Sequence, residues 1–281
     1  MSSGFQYIIS GAERYFLEAC DSVASLRRHN PGAHTTLVSD AVPASQPRIS
    51  ASFDTIVTEP LEPAAGRNVS RHVQGTTYRV RNIYRHAPYD RTCHVDSDTH
   101  FLGDFQPIFE LLDYFDMAMT QAPSDSTPVL VNGRELAACP LYNCGMIAFK
   151  KGDVTQQFFE RWRYWQEASL DDPAAKGNDQ VTFVRALLDV PARVCVVQAN
   201  WNARTTGHER FRGPVRLIHG RHNDVAAVAR SINIAADLRV WIPRVDACLY
   251  DRMTLAHHLR VSARTTWLLG RAALRRLLGR R

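Results

Sequence analysis

The sequence lacks the patterns that mark several large protein classes. Its six cysteines include no Cys-x-x-Cys pair, which argues against a zinc site or a disulfide framework and indicates isolated thiols in a reducing compartment. No stretch reaches the roughly 18 apolar residues that a membrane-spanning helix needs. The amino terminus has no basic segment followed by a long apolar run, so no secretory signal is predicted and a cytoplasmic location is expected.

Glycine-rich cofactor loops are also absent. The first predicted strand, at 6–10, is followed by the single Gly11 where a dinucleotide-binding protein would carry GxGxxG. The same lack argues against a methyltransferase. A chain of 281 residues with ordinary composition is long enough for one large α/β domain or two small ones, each with a substantial core.

The sequence instead alternates short apolar strands with amphipathic helices. A helix at 12–29 followed by a strand at 35–40 predicts a βαβ unit and hence parallel pairing. Polar loops are expected at 41–70, around one strand, and at 121–135. Further strands are predicted at 53–57, 92–95, 116–120, 141–150, 194–198 and 215–219, and further helices at 76–86, 105–112, 154–170 and from 178 onward. Asp104 and Asp153 are the predicted helix caps.

Two carboxylates follow the strand predicted at 92–95. Asp96 and Asp98 lie two residues apart, so an extended backbone would turn both side chains to the same side. Oxygen ligands of this kind favour Mg²⁺ or Mn²⁺, and ligands bind at the carboxyl ends of strands in open α/β sheets. We therefore expect a metal here that holds a diphosphate. The structural alternative is that Asp and Ser simply form the turn after the strand.

Several motifs in a fixed order resemble the metal-dependent nucleotide-sugar glycosyltransferases of the GT-A fold, most like family 8 and its neighbours. The resemblance runs from about Tyr7 to about His219. It rests on the first strand with Gly11, the Tyr78-Arg79 helix, Asp96-Ser97-Asp98, Asn143-x-Gly145, Asn178-Asp179-Gln180 and the less specific Leu217-Ile218-His219-Gly220. It implies a Rossmann-like mixed sheet flanked by helices.

The resemblance also implies a role for each matching residue. Asp96 and Asp98 would bind Mn²⁺ or Mg²⁺ and the ribose or diphosphate of the donor, with His219 as a third metal ligand. Asp179 and Gln180 would face the sugar as catalytic residues. The implied donor-side residues are Ser10, Gly11, Asp40, Arg79 and Ser97, and the implied acceptor-side residues are Asn143, Gly145 and Asn178.

Each assignment has a structural alternative. Arg79 could lie on a solvated helix face, His219 could be a core histidine, and Asp179 could be an acidic residue favoured by a helix amino terminus. The family often continues after its late histidine with Gly and Lys-Pro-Trp, whereas this chain has Gly220-Arg221-His222-Asn223. Arg221 could replace the lysine at a phosphate. No reason for His94 inside the central strand is evident.

The expected reaction is transfer of a hexose from a nucleotide-sugar, with UDP as the expected nucleotide, to a hydroxyl of a glycan or glycolipid. A retaining enzyme would place Gln180 near the anomeric carbon, and the resemblance favours this outcome. An inverting enzyme would need a base such as Asp179. The enzyme alternative is a phosphatase of the haloacid dehalogenase type, but His100 stands where that class keeps Thr or Val. A catalytically inactive glycan- or lipid-binding domain is the third hypothesis.

The carboxyl-terminal segment is strongly basic. From Arg252 to Arg281 there are eight arginines and no acidic residue, interspersed with leucines and Trp267. This pattern predicts an amphipathic helix on an anionic membrane surface, or alternatively a helix packed on the catalytic domain. No nucleic-acid partner is expected, since the other basic residues form no single patch. We predict a catalytic domain at 1–250 and a tail at 251–281, peripheral at the inner face of the membrane.

Overall fold

A computed structural model describes residues 1–41, 47–62, 69–123, 129–131, 134–136, 138–172, 177–250 and 255–277. The chain divides into two compact units, Met1–Val197 and Gln198–Arg281. The domain boundary expected at residue 250 stays a prediction. Among the described residues, no helix is both long and apolar enough to cross a membrane.

The first unit is built on a mixed sheet. Its strands are β1 (Ser3–Ile9), β2 (Thr35–Ser39), β3 (Thr55–Thr58), β4 (Arg91–Val95), β5 (Thr99–Phe101), β6 (Met117–Gln121), β7 (Leu130–Val131), β8 (Arg134–Glu135), β9 (Tyr142–Lys150) and β10 (Val194–Val197). Seven of them form one sheet in the order β10-β6-β9-β4-β1-β2-β3. Strand β1 pairs in parallel with β2 and β4, whereas β9 runs antiparallel to β4 and β6.

The helices of the first unit follow the predicted order with one addition. They are α1 (Glu13–His29), α2 (Pro47–Ser52), α3 (Arg71–Asn82), α4 (Gln106–Glu110), α5 (Asp153–Ala168) and α6 (Asp179–Asp189). The hydrophobic core includes aromatic side chains of β9, α5 and α6, with the Phe158 and Phe183 rings meeting edge-on at 4.8 Å. Burial of these rings fixes α6 against the sheet, and α6 begins with Asp179.

The second unit contains β11 (Ala203–Arg204), β12 (Glu209–Phe211), β13 (Leu217–His219), α7 (Val225–Ile232), β14 (Arg239–Ile242), β15 (Ala247–Tyr250) and α8 (Leu255–Leu277). Strands β11 and β13 pair in parallel, with Arg204 opposite His219. Strand β14 lies between β12 and β15 in an antiparallel sheet. The predicted tail helix is present as α8, and residues 251–254 and 278–281 of the predicted tail lie outside the described part of the chain.

Some local predictions were wrong. Helix α4 begins at Gln106, so Asp104 is not its N-cap, although its carboxylate accepts from the Gln106 amide over 2.9 Å. Gly152 precedes α5, which makes Asp153 the first helical residue. The expected loop at 121–135 contains the small β7–β8 pair, and part of this loop lies outside the described residues. Helix α7 and strands β14 and β15 were not predicted.

Candidate active site and metal ligands

The two carboxylates of the central strand lie where a ligand would meet the sheet edge. Asp96 follows the last residue of β4, and Ser97 and Asp98 form the turn that leads into β5. Their convergence comes from this turn, not from the strand alternation that the sequence suggested. Each offers a carboxylate oxygen, and the two lie within 4.8 Å of each other. Ser97 donates from Oγ to Oε2 of Glu18 over 3.4 Å.

Arg79 joins two parts of the predicted motif set. Its Nη1 donates to Oδ1 of Asp96 over 2.7 Å, and its Nη2 donates to Oδ2 of Asp179. The side chains of Arg79, Asp96 and Asp179 are only 12%, 29% and 16% exposed. The two carboxylates raise the pKa of the guanidinium against the opposing effect of burial. The solvated-face alternative for Arg79 is therefore excluded.

The amino terminus of α6 is held by its own cap. The side chain of Asn178 accepts from the backbone amides of Gln180, over 3.0 Å, and Val181. This is ordinary N-capping, and it leaves the Asn178 side chain turned toward its own helix. Gln180, one residue after Asp179, has a buried Oε1 without a hydrogen-bond partner among the described residues. A buried acceptor without a partner is costly unless a ligand or water satisfies it.

Helix α5 holds the segment at the start of α6 through two hydrogen bonds. Trp162 donates from Nε1 to the Asp179 carbonyl oxygen over 3.1 Å, and Gln166 donates to the Gly177 carbonyl oxygen over 2.9 Å. Gly177 has a positive φ of 70°, and a Cβ at this position would lie 2.6 Å from Cγ1 of Val73 in α3. Glycine is thus required for α3 and α6 to approach each other and bring Arg79 to Asp179.

The residues expected at the nucleoside lie at the ends of β1 and β2. Gly11 has a positive φ of 92°, and its amide donates to Oδ1 of Asp40 over 3.4 Å. A Cβ on Gly75 of α3 would lie 3.3 Å from Oγ of Ser10. Gly75 thus lets α3 approach the Ser10 hydroxyl closely, and a Cβ on Gly11 would meet no other atom within 4 Å. Sequence reasoning did not identify Gly75.

Strand β9 lies directly beside the motif. The Asp96 amide donates to the Gly145 carbonyl oxygen over 2.9 Å, and the Gly145 amide donates to Oδ1 of Asn143 over 3.1 Å. Asn143 is buried, so its side chain shapes the strand. Between them, Cys144 is fully buried, and burial raises the pKa of its thiol well above the usual value.

A buried polar pair lies beneath Asp96. His94 of β4 is opposite Gln6 of β1, and both side chains are completely buried. Nε2 of His94 is 3.6 Å from Oδ1 of Asp96, too long for a hydrogen bond, and burial lowers the pKa of the imidazole. His94 is therefore neutral at pH 7. The side-chain nitrogen and oxygen atoms of both residues lack hydrogen-bond partners among the described residues.

His219 belongs to the second unit and is also buried. It ends β13, where its Nδ1 lies 3.1 Å from Oδ1 of Asn202 and its Nε2 lies 2.6 Å from Nη1 of Arg204. The Arg204 amide donates to Oε2 of Glu209 over 2.8 Å. Burial raises the pKa of the Glu209 carboxyl to about 7. Sequence reasoning did not identify Asn202, Arg204 or Glu209, because no motif marks them.

The residues after His219 form a second small network in this unit. Gly220 has a φ of 136°, and a Cβ there would lie 3.0 Å from Cγ2 of Thr206. Nε2 of His222 hydrogen bonds with the Thr205 hydroxyl, and its Nδ1 is 3.8 Å from Oδ1 of Asp246. The buried Thr205 hydroxyl also donates to the His219 carbonyl oxygen. This network fixes the backbone on both sides of His219.

Asp96 and Asp98 are side chains that could hold a metal ion, each through a carboxylate oxygen. Carboxylates suit hard divalent cations such as Mg²⁺ and Mn²⁺. The donor chemistry of these two residues therefore fits the cation that the resemblance implies. The assignment of His219 as a third metal ligand stays a prediction.

No family model and no curated protein matches the sequence. Solved structures do match. The galactosyltransferase LgtC with donor and acceptor sugar analogs is 11% identical, with a TM-score of 0.53 over 78% of this chain and 87% of that one. Mouse xyloside xylosyltransferase 1 is 13% identical, with a TM-score of 0.51 over 79% of this chain and 99% of that one.

A third similar structure is the glycosyltransferase GlyE of Streptococcus pneumoniae TIGR4. It is 15% identical, with a TM-score of 0.55, and the match covers 79% of this chain and 55% of that chain. At such identities the likeness establishes the fold. The prediction of an α/β protein with a mixed sheet is confirmed: the chain has the GT-A fold that these glycosyltransferases share.

Proposed function

We propose that the protein is a metal-dependent glycosyltransferase that moves a hexose from a nucleoside-diphosphate sugar to a hydroxyl of a glycan or glycolipid. The expected donor is a UDP-sugar. One observation carries the proposal: Arg79 binds both Asp96, at the end of the central strand, and Asp179, at the start of α6. Residues 100 positions apart in sequence thus converge at the edge of the sheet where ligands bind in α/β folds.

The residues of this edge suit cleavage of a sugar–diphosphate bond. Breaking that bond leaves negative charge on the nucleoside diphosphate, and a divalent cation at Asp96 and Asp98 would supply compensating positive charge. The role of His219 as a third ligand of that cation is a prediction from the resemblance alone. Ser10, Gly11 and Asp40 are proposed to contact the nucleoside, because the space beside the Gly11 Cα is open.

Asp179 and Gln180 are proposed to face the transferred sugar. Asp179 is already bound by Arg79, and this pairing supports a positioning role for Asp179 over that of a base that takes the acceptor proton. The buried Oε1 of Gln180, without a partner among the described residues, is a suitable acceptor for a sugar hydroxyl. We therefore expect the anomeric configuration to be retained, with Gln180 beside the anomeric carbon.

Neither alternative function is favoured. Haloacid dehalogenase-type phosphatases carry their Asp-x-Asp on the first strand, whereas Asp96 follows β4, and β4 pairs antiparallel with β9. An inactive binding domain would have no need for Arg79 to bind both Asp96 and Asp179.

Thermal stabilisation by nucleotides tests the proposal. A ligand that binds only the folded state must raise the Tm by mass action, so UDP or one UDP-sugar should raise it when Mn²⁺ is present. The shift should vanish in Asp98→Ala and persist in Glu160→Ala, a matched change on the exposed side of α5. Absence of a shift with every nucleotide would contradict the proposed function.

We further propose that α8 holds the protein at an anionic membrane surface, which would bring a lipid-linked acceptor within reach. Leu259 and Trp267 are 59% and 58% exposed, and the Arg271 guanidinium lies 4.7 Å from the centroid of the Trp267 ring. Exposed apolar side chains among arginines are typical of helices that lie in the headgroup region.

Vesicle sedimentation tests this part. The full chain should bind vesicles containing phosphatidylserine but not neutral vesicles, and salt should weaken the binding. A chain ending at Tyr250 should remain in solution. Equal behaviour of the two chains toward anionic vesicles would contradict the membrane proposal and leave the glycosyltransferase proposal intact.

A further inference from the structure

Two polar side chains occupy the middle of the sheet in the first unit, where apolar ones would be less costly. Gln6 of β1 is opposite His94 of β4, and Ile147 of β9 is the next residue in the same row. Gln6 and His94 are completely buried, and none of their four side-chain nitrogen and oxygen atoms has a hydrogen-bond partner in the described part of the chain. Buried polar atoms without partners are costly, so this pair indicates a role other than packing.

The imidazole of His94 lies beside the carboxylate that the proposed cation would bind. Nε2 of His94 is 3.6 Å from Oδ1 of Asp96. Nη1 of Arg79 donates to this same oxygen over 2.7 Å. Two nitrogen atoms, one from β4 and one from α3, therefore approach a single oxygen of Asp96. Together they define how the carboxylate is rotated about its Cβ–Cγ bond.

The chemistry of the neighbouring groups determines which tautomer of His94 is useful here. A carboxylate oxygen only accepts, so a hydrogen bond to Asp96 requires the proton on Nε2. Nδ1 of the neutral ring is then an acceptor and needs a donor. The Gln6 amide carries two N–H donors, and paired residues of a sheet project to the same face. Gln6 is therefore placed to donate to Nδ1, directly or through a buried water, and to fix this tautomer.

We propose that His94 is a positioning residue, which holds Asp96 in the orientation that a divalent cation needs. The Nε2–H of His94 and the Arg79 guanidinium hold Oδ1, which directs Oδ2 to the cation. The distance from Nε2 to Oδ1 must shorten by roughly 0.6 Å to become an ordinary hydrogen bond, and such distances commonly shorten when a ligand binds. The inference rests on the proposed function, because it needs the cation at Asp96.

The test measures Mn²⁺ binding by the full chain, from the electron paramagnetic resonance signal of free Mn²⁺, together with the Tm in the absence of metal. Loss of a hydrogen bond to a metal-binding carboxylate typically weakens metal binding, so His94→Leu should bind Mn²⁺ roughly tenfold less tightly than wild type. Its Tm should stay near the wild-type value, because a buried apolar side chain replaces a buried polar one. His34→Leu, at an exposed histidine before β2, should match the wild-type Mn²⁺ affinity.

Two polar variants of His94 separate the reach of the side chain from its polarity. The amide nitrogen of a glutamine corresponds in position to Nε2 of histidine, whereas that of an asparagine corresponds to Nδ1 and falls short of Asp96. His94→Gln should therefore stay within about twofold of the wild-type Mn²⁺ affinity, and His94→Asn should lose roughly tenfold. This pair decides between the two roles even if His94→Leu does not fold.

The outcomes distinguish this inference from the proposed function. Equal Mn²⁺ affinity in His94→Gln and His94→Asn would overturn the positioning role, and so would a His94→Leu variant that loses stability but binds Mn²⁺ as wild type does. In either case, loss of Mn²⁺ binding in Asp98→Ala would still uphold the proposed metal site. A wild-type chain that binds no Mn²⁺ would contradict that metal site and this inference together.

Discussion

Arg79 in the first unit and Arg204 in the second each donate to a predicted metal ligand, but their surroundings differ. Arg79 is held by Asp96 and Asp179 and is nearly buried. The Arg204 guanidinium has a single hydrogen-bond partner, His219, among the described residues. An arginine held by two carboxylates is a fixed part of a site, whereas Arg204 makes one side-chain hydrogen bond to an imidazole, which costs less to break. The comparison therefore predicts that the two arginines contribute differently to stability.

The largest expected difference is in stability. Arg79→Ala should lower the free energy of unfolding by about 3 kcal/mol, because it leaves two largely buried carboxylates without their counter-charge. Arg204→Ala should cost about 1 kcal/mol, since His219 loses one hydrogen bond. Urea unfolding of both variants measures the difference. Arg85→Ala, at an exposed ion pair near the end of α3, is the control and should cost less than about 1 kcal/mol. Equal losses of unfolding free energy in Arg79→Ala and Arg204→Ala would contradict the view that the two arginines are held differently.

The contribution of Glu209, which binds the Arg204 amide, to protein stability should depend on pH. Burial raises the pKa of Glu209 to about 7, well above its value of about 4.5 in the unfolded chain. The folded state therefore binds more protons between these two values. The stability that protonated Glu209 contributes is fully present below about pH 4.5 and is lost as the pH rises through about 7.

Unfolding of wild type and Glu209→Gln at pH 5 and pH 8 measures this effect. From pH 5 to pH 8, the free energy of unfolding of the wild type should fall by on the order of 2 kcal/mol more than that of Glu209→Gln. Parallel stability curves for the two proteins would show that Glu209 titrates normally.

The smallest expected effect concerns the N-cap of α6, the helix whose first residue binds Arg79. Asn178→Ala should destabilise the protein by about 1 kcal/mol, because the amides at the start of α6 lose their cap. Asn178→Asp should restore the stability, since aspartate caps equally well. If Asn178 instead contacts the acceptor, Asn178→Asp would recover stability but leave the KM for the acceptor raised. Unfolding and steady-state measurements on both variants distinguish the two roles.

The elements around Arg79 were largely predictable from sequence. The apolar run of β4 is followed by two acidic residues, so the pattern placed Asp96 at the end of a strand. Asn178 is a residue type that commonly caps helices, so the pattern placed Asp179 at the start of a helix. The contact of Arg79 with both could not be derived, because it depends on how closely α3 approaches α6. That approach needs Gly177 beside Val73, a tertiary fact that no periodicity encodes.

The surroundings of Arg204 were only partly predictable. Strand β13 lies within the strand predicted at 215–219, but its partner β11 is two residues long, too short for alternation to be recognised. Arg204 and His219 are 15 residues apart and meet only through the parallel pairing of these strands. Helix α7 was also missed, although Asp224 caps it, since the sequence offered no flanking pattern to place it. The resemblance identified His219 but could not identify its partners.

The central claim is that this chain cleaves a sugar–diphosphate bond with the help of a cation at Asp96 and Asp98. Release of nucleoside diphosphate from a panel of nucleotide-sugars, with and without Mn²⁺, tests it most directly. We predict Mn²⁺-dependent release of UDP from at least one UDP-sugar, loss of that release in Asp98→Ala, and retention of the anomeric configuration. A chain that binds UDP and Mn²⁺ but releases no nucleoside diphosphate from any donor would contradict the claim and identify a binding domain instead.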